Sequence, residues 1–205
     1  MKTILLVPAF LCLYLSAIAQ SNRPFYTGER VPDITLHHII NYKNSSAALS
    51  SFGHKLIILD FWGIHCGSCI AMFPLEDSLQ KAFGKNVQFI LVTSDSLNKT
   101  LAFIQQWKQK HHSGFSPPIV TEDHLLRKLF WHYYVPHYAW LAPDGSLLAQ
   151  TLDNFINAEV IKNMLLSIQK NEQHLKDERA PSDAFGFKEP TQKQTNLFTQ
   201  IQNKK

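Results

Sequence analysis

Two continuous apolar runs in the middle of the chain flank a segment with helical periodicity. The runs are "KLIILDFW", which ends at Trp62, and "NVQFILVTSD", which begins at Asn86, and such runs are typical of buried central strands. Between them, apolar residues recur at helical spacing from Ser68 to about Phe83, and Gly84 ends the pattern. The recurring residues are Ile70, Phe73, Leu75, Leu79 and Phe83. This order of strand, helix and strand predicts a parallel βαβ unit.

Shorter elements extend this unit in both directions. Upstream, the pattern predicts a short strand near Ile34 to Ile39, followed by loop and turn over "NYKNSSAALSSFG". Downstream, "LNKTLAFIQQWKQK" predicts an amphipathic helix, "FSPPIVTED" a short extended piece and "HLLRKLFWHY" a short helix. The apolar face of the amphipathic helix is predicted to hold Leu97, Leu101, Ile104 and Trp107.

The remaining pattern predicts a hairpin and a closing helix. "HYAWLAPDGSLLAQTL" contains two strands joined by Pro143-Asp144-Gly145, which has the chemistry of a hairpin turn. "NAEVIKNMLLSIQ" is the closing helix, with Asn157 as its N-cap. Together these elements predict an α/β fold: a central mixed β-sheet flanked by helices, with an N-terminal strand and a helix-strand insertion at about residues 97–120.

The two ends of the chain differ in composition from this domain. "MKTILLVPAFLCLYLSAIAQ" has a lysine, an apolar run and small residues before a cleavage point, so residues 1–19 are predicted to be a signal peptide. The alternative is an uncleaved membrane anchor. Residues 23–170 form the predicted domain, and residues 171–205, rich in Lys, Gln, Asn and Glu, are predicted to be a disordered tail.

The charge and the cysteine content reduce the number of function classes that fit the sequence. The net charge of +4 comes without a block of Lys and Arg, so nucleic acid is not an expected partner. Export implies an oxidising compartment. Of the three cysteines, Cys12 would leave with the signal peptide, and Cys66 and Cys69 would remain. A single pair does not build a disulfide scaffold.

Three interpretations of the pair "CGSC" can be compared. A structural zinc site needs four ligands, and the histidines near the pair and elsewhere lack matching spacing. A purely structural disulfide across two residues closes a very small ring, which constrains the unfolded chain little. The third interpretation is a redox couple, and it is favoured because the pair stands where a strand turns into a helix. We expect no metal and no bound cofactor.

The predicted position gives each cysteine a role. Unpaired backbone N–H groups and the positive end of the helix dipole stabilise a thiolate at a helix N-terminus, which lowers the pKa of that thiol. Cys66 is therefore the candidate nucleophile. Cys69, one turn into the helix, is the candidate resolving thiol that attacks a mixed disulfide.

The stretch "DFWGIHCGSC" resembles the active-site strand and turn of the thioredoxin superfamily, whose usual form is close to D-F-W-A-x-W-C-G-P-C. The resemblance implies a thioredoxin-like fold. It also implies that Asp60 exchanges a proton with Cys69, for which burial should raise the carboxyl pKa. Pro74 matches the position where the active-site helix of the family kinks. Trp62 and His65 are expected to contact substrate.

A second segment, "YYVPHYAWLAPDG", resembles the part of the family that carries a cis-proline facing the dithiol. The resemblance assigns the cis bond to Val135-Pro136, with the backbone of Val135 able to pair with an extended substrate. His137 directly follows Pro136, and the resemblance assigns no role to it. Two residues depart from the family pattern: Ser68 replaces a proline, which leaves the reduction potential open, and His65 replaces a tryptophan.

The additional strand, the insertion and the export signal resemble the branch of exported or membrane-tethered bacterial proteins similar to TlpA and ResA. The resemblance implies a periplasmic thiol-disulfide oxidoreductase that acts as a reductant. Its partners would be disulfide-containing proteins, among them apocytochrome c, and a membrane thiol carrier would recharge it; the chain is expected to be a monomer. Alternatives are a peroxiredoxin-like enzyme, against which Leu59 and Gly63 argue, and a thioredoxin-like module that binds peptides without turnover.

Overall fold

A six-stranded mixed sheet forms the centre of the fold. The computed structural model describes residues 23–179, and the side chains as far as residue 174. The strands are β1 (Thr35–Leu36), β2 (Ile39–Ile40), β3 (Ala47–Ala48), β4 (Leu56–Phe61), β5 (Val87–Val92), β6 (Ile119–Val120), β7 (His137–Leu141) and β8 (Leu147–Thr151). The helices are α1 (Gly67–Phe83), α2 (Leu97–His111), α3 (Leu126–Leu129) and α4 (Ala158–Arg179).

The sheet has the strand order β2-β6-β5-β4-β7-β8. Strands β4, β5 and β6 run parallel, whereas β7 is antiparallel to β4, β8 to β7 and β2 to β6. The predicted βαβ unit and hairpin are therefore confirmed, as is the α/β class with its insertion. In register, Asp60 of β4 faces Tyr138 of β7.

Alternation along β4 divides its side chains between two apolar clusters. Leu59 and Phe61 belong to the cluster that also contains Phe130. Trp62 belongs to the other cluster, together with Cys69 and the helix residues that cover them. Because successive strand residues point to opposite faces, Asp60 points to the same face as Trp62. The dithiol segment and α1 thus pack on the face that holds Asp60.

The N-terminal region differs from its prediction. Instead of one strand, β1 pairs with β3 in a separate two-stranded sheet, and β2 joins the edge of the main sheet. His38 lies between them with φ of 53°, a left-handed conformation that ends one strand before the next begins. The predicted loop contains β3 and a 3-10 turn at Leu49–Phe52, whose end residues are buried in the core.

On α1 and α2 the predicted stripe residues Phe73, Leu79, Ile104 and Trp107 are buried, but one predicted residue of each helix is exposed. On α1, Glu76 is buried and Leu75 is exposed; on α2, Thr100 is buried and Leu101 is exposed. The buried stripe of α1 runs through Cys69, Phe73 and Glu76, at spacings of four and three residues that place them on one helix face. The prediction followed apolar residue type, and it was wrong about Leu75 and Leu101.

Helix α4 begins at the predicted cap. Asn157 Oδ1 accepts a hydrogen bond of 2.9 Å from the N–H of Val160. The first compact unit ends at Lys162, and in the second unit the described part continues α4 to Arg179, past the predicted boundary at residue 170. The rest of the predicted tail and the predicted signal peptide lie outside the described residues. No helix in residues 23–179 has the length and apolar character needed to span a bilayer.

Candidate active site

Cys66 and Cys69 form a disulfide at the start of α1. The S–S distance is 2.03 Å and the two Cα atoms are 5.3 Å apart. Cys66 is the N-cap of the helix, and its Sγ accepts a hydrogen bond of 3.2 Å from the N–H of Cys69. This is the position at which the sequence places a nucleophilic sulfur, where backbone N–H groups favour negative charge.

The two sulfurs differ in access. Cys69 is fully buried, whereas Cys66 is half-buried and is followed by the exposed residues Gly67 and Ser68. The hydroxyl of Ser68 lies 3.4 Å from Cys66 Sγ. An attacking or attacked group from another molecule can therefore reach Cys66 but not Cys69.

The predicted cis bond is present between Val135 and Pro136. The carbonyl oxygen of Val135 lies 3.7 Å from Cys66 Sγ, so the two distant sequence segments meet at the disulfide. No backbone hydrogen bond to the N–H or C=O of Val135 forms within residues 23–179. The expected role of Val135 and Pro136 in substrate binding stays a prediction.

Behind the disulfide, Asp60 shares a buried site with Glu76 and Tyr138. All three are fully buried. The hydroxyl of Tyr138 donates a hydrogen bond of 2.8 Å to Glu76 Oε1. Among the described N–H and O–H groups, none donates to Glu76 Oε2 or to either oxygen of Asp60. Two buried carboxyl groups without enough donors cannot both ionise at low cost, so this arrangement retains a proton.

The pKa values of Asp60 and Glu76 are both raised, as expected for two neighbouring carboxyl groups that are buried together. Burial first, and the neighbouring Glu76 carboxyl second, raise the pKa of Asp60 well above its ordinary value. Burial raises the pKa of Glu76 to about 7, against the hydrogen bond from Tyr138, which lowers it. A protonated Asp60 beside the Glu76 carboxylate accounts for both directions. The pair therefore titrates as one system, with two apparent pKa values rather than two independent groups.

The other predicted site residues are placed differently. His65 is exposed beside Cys66. Trp62 is only 4% exposed and packs edge-on against Phe73 at 5.1 Å between ring centroids, so it supports the site from beneath. The expected contact of Trp62 with substrate stays a prediction. His137 is half-buried, its Nε2 is 3.0 Å from Gln150 Oε1, and burial lowers its pKa.

Sequence reasoning missed Glu76 and Tyr138. Glu76 follows Leu75 directly, and the predicted buried stripe of α1 included Leu75 because it is apolar. The spacing from Cys69 was the available signal, because residues four and seven positions after a buried helical residue lie on the same face. Tyr138 could have been found once Asp60 and the β7 strand were placed in neighbouring register.

Comparison with known proteins agrees with this geometry. Residues 26–123 match the Redoxin family model. ResA, a thiol-disulfide oxidoreductase of Oceanobacillus iheyensis, is 24% identical over 146 residues, which cover 70% of this chain and 74% of ResA. A thioredoxin of Ictalurus punctatus is 39% identical over 59 residues, 28% of this chain and 55% of that protein.

Solved structures share the fold at low identity. A thiol:disulfide interchange protein DsbE of Chlorobium tepidum superposes with a TM-score of 0.57 at 20% identity, covering 70% of this chain and 98% of that one. The thioredoxin domain of a thiol-disulfide oxidoreductase of Bacteroides vulgatus gives a TM-score of 0.54 at 20% identity, with 68% and 98% covered.

Proposed function

We propose that the chain is a thiol-disulfide oxidoreductase of the thioredoxin superfamily, which reduces disulfide bonds in exported proteins through Cys66 and Cys69. One observation carries the proposal: the accessible sulfur of the pair caps α1 and lies 3.7 Å from the carbonyl oxygen of Val135. A substrate that pairs with this backbone brings its own disulfide to Cys66.

The reaction is two successive thiol-disulfide exchanges. The Cys66 thiolate attacks one sulfur of the substrate disulfide, forms a mixed disulfide and releases the first substrate thiolate. Cys69, after losing its proton, attacks Cys66 Sγ, which releases the second substrate thiolate and leaves the Cys66–Cys69 disulfide. Two electrons pass from the dithiol to the substrate. A thiol donor then reduces the enzyme again.

Asp60 and Glu76 are the proposed acceptors for the proton of Cys69. Cys69 is buried, so water cannot take this proton directly. With the pKa of Glu76 at about 7 and that of Asp60 raised well above its ordinary value, the pair holds a proton near neutral pH and can still accept another at its remaining carboxylate. We assign the pair to this transfer as a unit, with Asp60 as the member that the family resemblance implies.

The proposed direction is reduction, and the surroundings of Cys66 support it. A strongly oxidising disulfide requires a well-stabilised thiolate in the reduced form. Here one backbone N–H and one hydroxyl lie beside Cys66 Sγ, and the Val135 carbonyl turns its negative end toward the sulfur. The carbonyl opposes an anionic sulfur, which limits thiolate stabilisation and lowers the potential.

Location and partners complete the proposal. The pattern of residues 1–19 supports export to the periplasm, with a membrane-tethered form as the alternative; mass spectrometry of the N-terminus of the protein from soluble and membrane fractions distinguishes the two. The substrates are disulfide-containing proteins, apocytochrome c among the candidates, and the donor is a membrane thiol carrier. We expect the enzyme to act as a monomer.

Insulin reduction with dithiothreitol tests the activity. The wild type should accelerate precipitation of the insulin B chain, and Cys66→Ser should abolish the acceleration. Equal rates for both proteins would overturn the proposal. Equilibration with glutathione buffers tests the direction: a potential below the glutathione couple supports a reductant, whereas a higher one contradicts it. Peroxide consumption, measured in parallel, should stay at background.

A further inference from the structure

Three large aromatic side chains are exposed on the loop between α3 and β7. Trp131 is 52% exposed, Tyr133 74% and Tyr134 81%. Trp131 and Tyr133 meet edge to face with ring centroids 4.4 Å apart, and Tyr133 and Tyr134 are 6.2 Å apart. We call these three side chains the aromatic loop. Other exposed apolar residues among those described are spread along the chain, so this group is a local concentration.

Buried residues of the same loop anchor it to the core, so the exposed rings are attached to an ordered backbone. His132, which lies between Trp131 and Tyr133 in the sequence, is buried, and its Nδ1–H donates a hydrogen bond of 2.7 Å to the carbonyl of Phe130. The His132 ring stacks on His137 at 4.5 Å and packs against Phe61 at 4.7 Å. Phe130 is itself fully buried. A fixed loop loses little conformational entropy when a partner covers it.

The aromatic loop is continuous with the active site. Tyr134 directly precedes Val135, whose carbonyl lies 3.7 Å from Cys66 Sγ and whose backbone is unpaired within the described residues. An extended chain advances about 3.3 Å per residue. A substrate strand that pairs with Val135 therefore brings residues one to three positions from its cysteine to Tyr133 and Tyr134.

We propose that the aromatic loop binds an apolar or aromatic side chain of the substrate, one to three residues from the cysteine that Cys66 attacks. Trp131, Tyr133 and Tyr134 carry no formal charge and present flat apolar rings with polar edges, which suit aliphatic and aromatic side chains. Such side chains are buried in folded proteins. The preferred partner is therefore an extended, incompletely folded protein segment. This inference rests on the proposed function of the dithiol.

Matched peptides test the proposal. Each peptide has a cysteine joined as a mixed disulfide to a chromogenic thiol, and the members differ at the two neighbouring positions, which hold Phe, Leu, Ser, Glu or Arg. The reduced protein should release the chromophore about ten-fold faster from the Phe and Leu peptides than from the Ser and Glu peptides. Tyr133→Ala with Tyr134→Ala should reduce this ratio to near one, and Trp131→Ala should lower it partly.

The controls separate the possible outcomes. Tyr26, 65% exposed and outside the loop, provides the matched variant Tyr26→Ala, which should keep the ratio. All variants should reduce the small aliphatic disulfide bis(2-hydroxyethyl) disulfide at the wild-type rate. Normal small-disulfide reduction without peptide preference, or preference for the Arg peptide, would overturn the loop proposal alone. Absence of both reactions would overturn the proposed function. Dimerisation of the wild type that the double variant abolishes would show that a second copy covers the loop, which also contradicts the proposal.

Discussion

The hydroxyl of Tyr138 on β7 donates a hydrogen bond of 2.8 Å to Glu76 on α1. This bond joins the central sheet to the helix that carries the dithiol. The second carboxyl oxygen of Glu76 does not take part in this bond. The buried carboxyl site therefore combines Asp60 from β4, Tyr138 from the neighbouring strand β7 and Glu76 from α1. The site is therefore part of the scaffold as well as of the proposed chemistry.

Glu76→Gln should change the pH dependence of the second exchange. Removing the neighbouring carboxyl removes one of the causes that raise the pKa of Asp60. Asp60 then ionises at lower pH, and release of the mixed disulfide by Cys69 should reach half its maximum at a lower pH than in the wild type. Stopped-flow measurement of release between pH 5 and pH 9 tests this.

Asp77→Asn is the matched control for this measurement, because Asp77 is the next residue on the helix and pairs with Lys81 at 2.6 Å, away from Asp60. Its profile should coincide with that of the wild type. A Glu76→Gln profile that also coincides would show that Glu76 has no part in the proton transfer.

Stability should fall as the pH rises through the titration of Glu76. Between pH 4.5 and about 7 the unfolded chain has released the Glu76 proton, whereas the folded protein retains it. Unfolding then releases a proton, so the free energy of unfolding decreases with pH, by roughly 3 kcal/mol over this window at about 1.4 kcal/mol per pH unit.

Urea denaturation of the wild type and Glu76→Gln at pH 5 and pH 8 measures this effect. The variant should lose less stability between the two pH values, because the amide does not titrate; the decrease that Asp60 causes should persist. Parallel losses in the two proteins would contradict the raised pKa of Glu76.

Replacing the two cysteines separately should have different effects. Cys69→Ser keeps the accessible sulfur but cannot complete the second exchange, so mixed disulfides with substrate should accumulate. Cys66→Ser should form none, since Cys69 is fully buried. Mass spectrometry after non-reducing electrophoresis detects both results, and adducts on Cys66→Ser would show that Cys69 is reachable.

Ser68→Ala should make the enzyme more reducing. The Ser68 hydroxyl, 3.4 Å from Cys66 Sγ, can donate to the thiolate. Its removal should raise the pKa of Cys66 by roughly 0.5 to 1 unit and lower the reduction potential accordingly. The pH dependence of iodoacetamide alkylation gives the pKa, and Ser78→Ala on the exposed side of the same helix is the control. An unchanged pKa would contradict this role.

Several parts of the fold could be predicted because local pattern and global packing agree. The runs that became β4 and β5 are buried over nearly their full length, and Asn157 caps α4 as expected. The position of Cys66 and Cys69 where a strand turns into a helix predicts a redox couple, and resemblance to a family motif assigns the cis bond to Val135-Pro136. Nothing in the separation of the two segments along the chain indicates that they meet.

Other parts depend on tertiary contacts that a one-dimensional pattern lacks. Glu76 is buried because the phase of α1 is fixed by Cys69 and Phe73, whatever residue occupies the next position of the stripe. The composition after residue 170 favours a disordered tail, yet residues 171–179 contain helix-forming Glu, Gln, Lys and Leu without Gly or Pro, so α4 can continue.

Full burial of Cys69 has a kinetic consequence for the whole cycle. The buried sulfur of Cys69 can react only with a mixed disulfide that Cys66 has already formed. Release of the bound substrate through Cys69 is therefore a unimolecular step inside the protein. The rate of release through Cys69 should then be independent of how much competing disulfide surrounds the enzyme, and it is set by the packing around one helix turn.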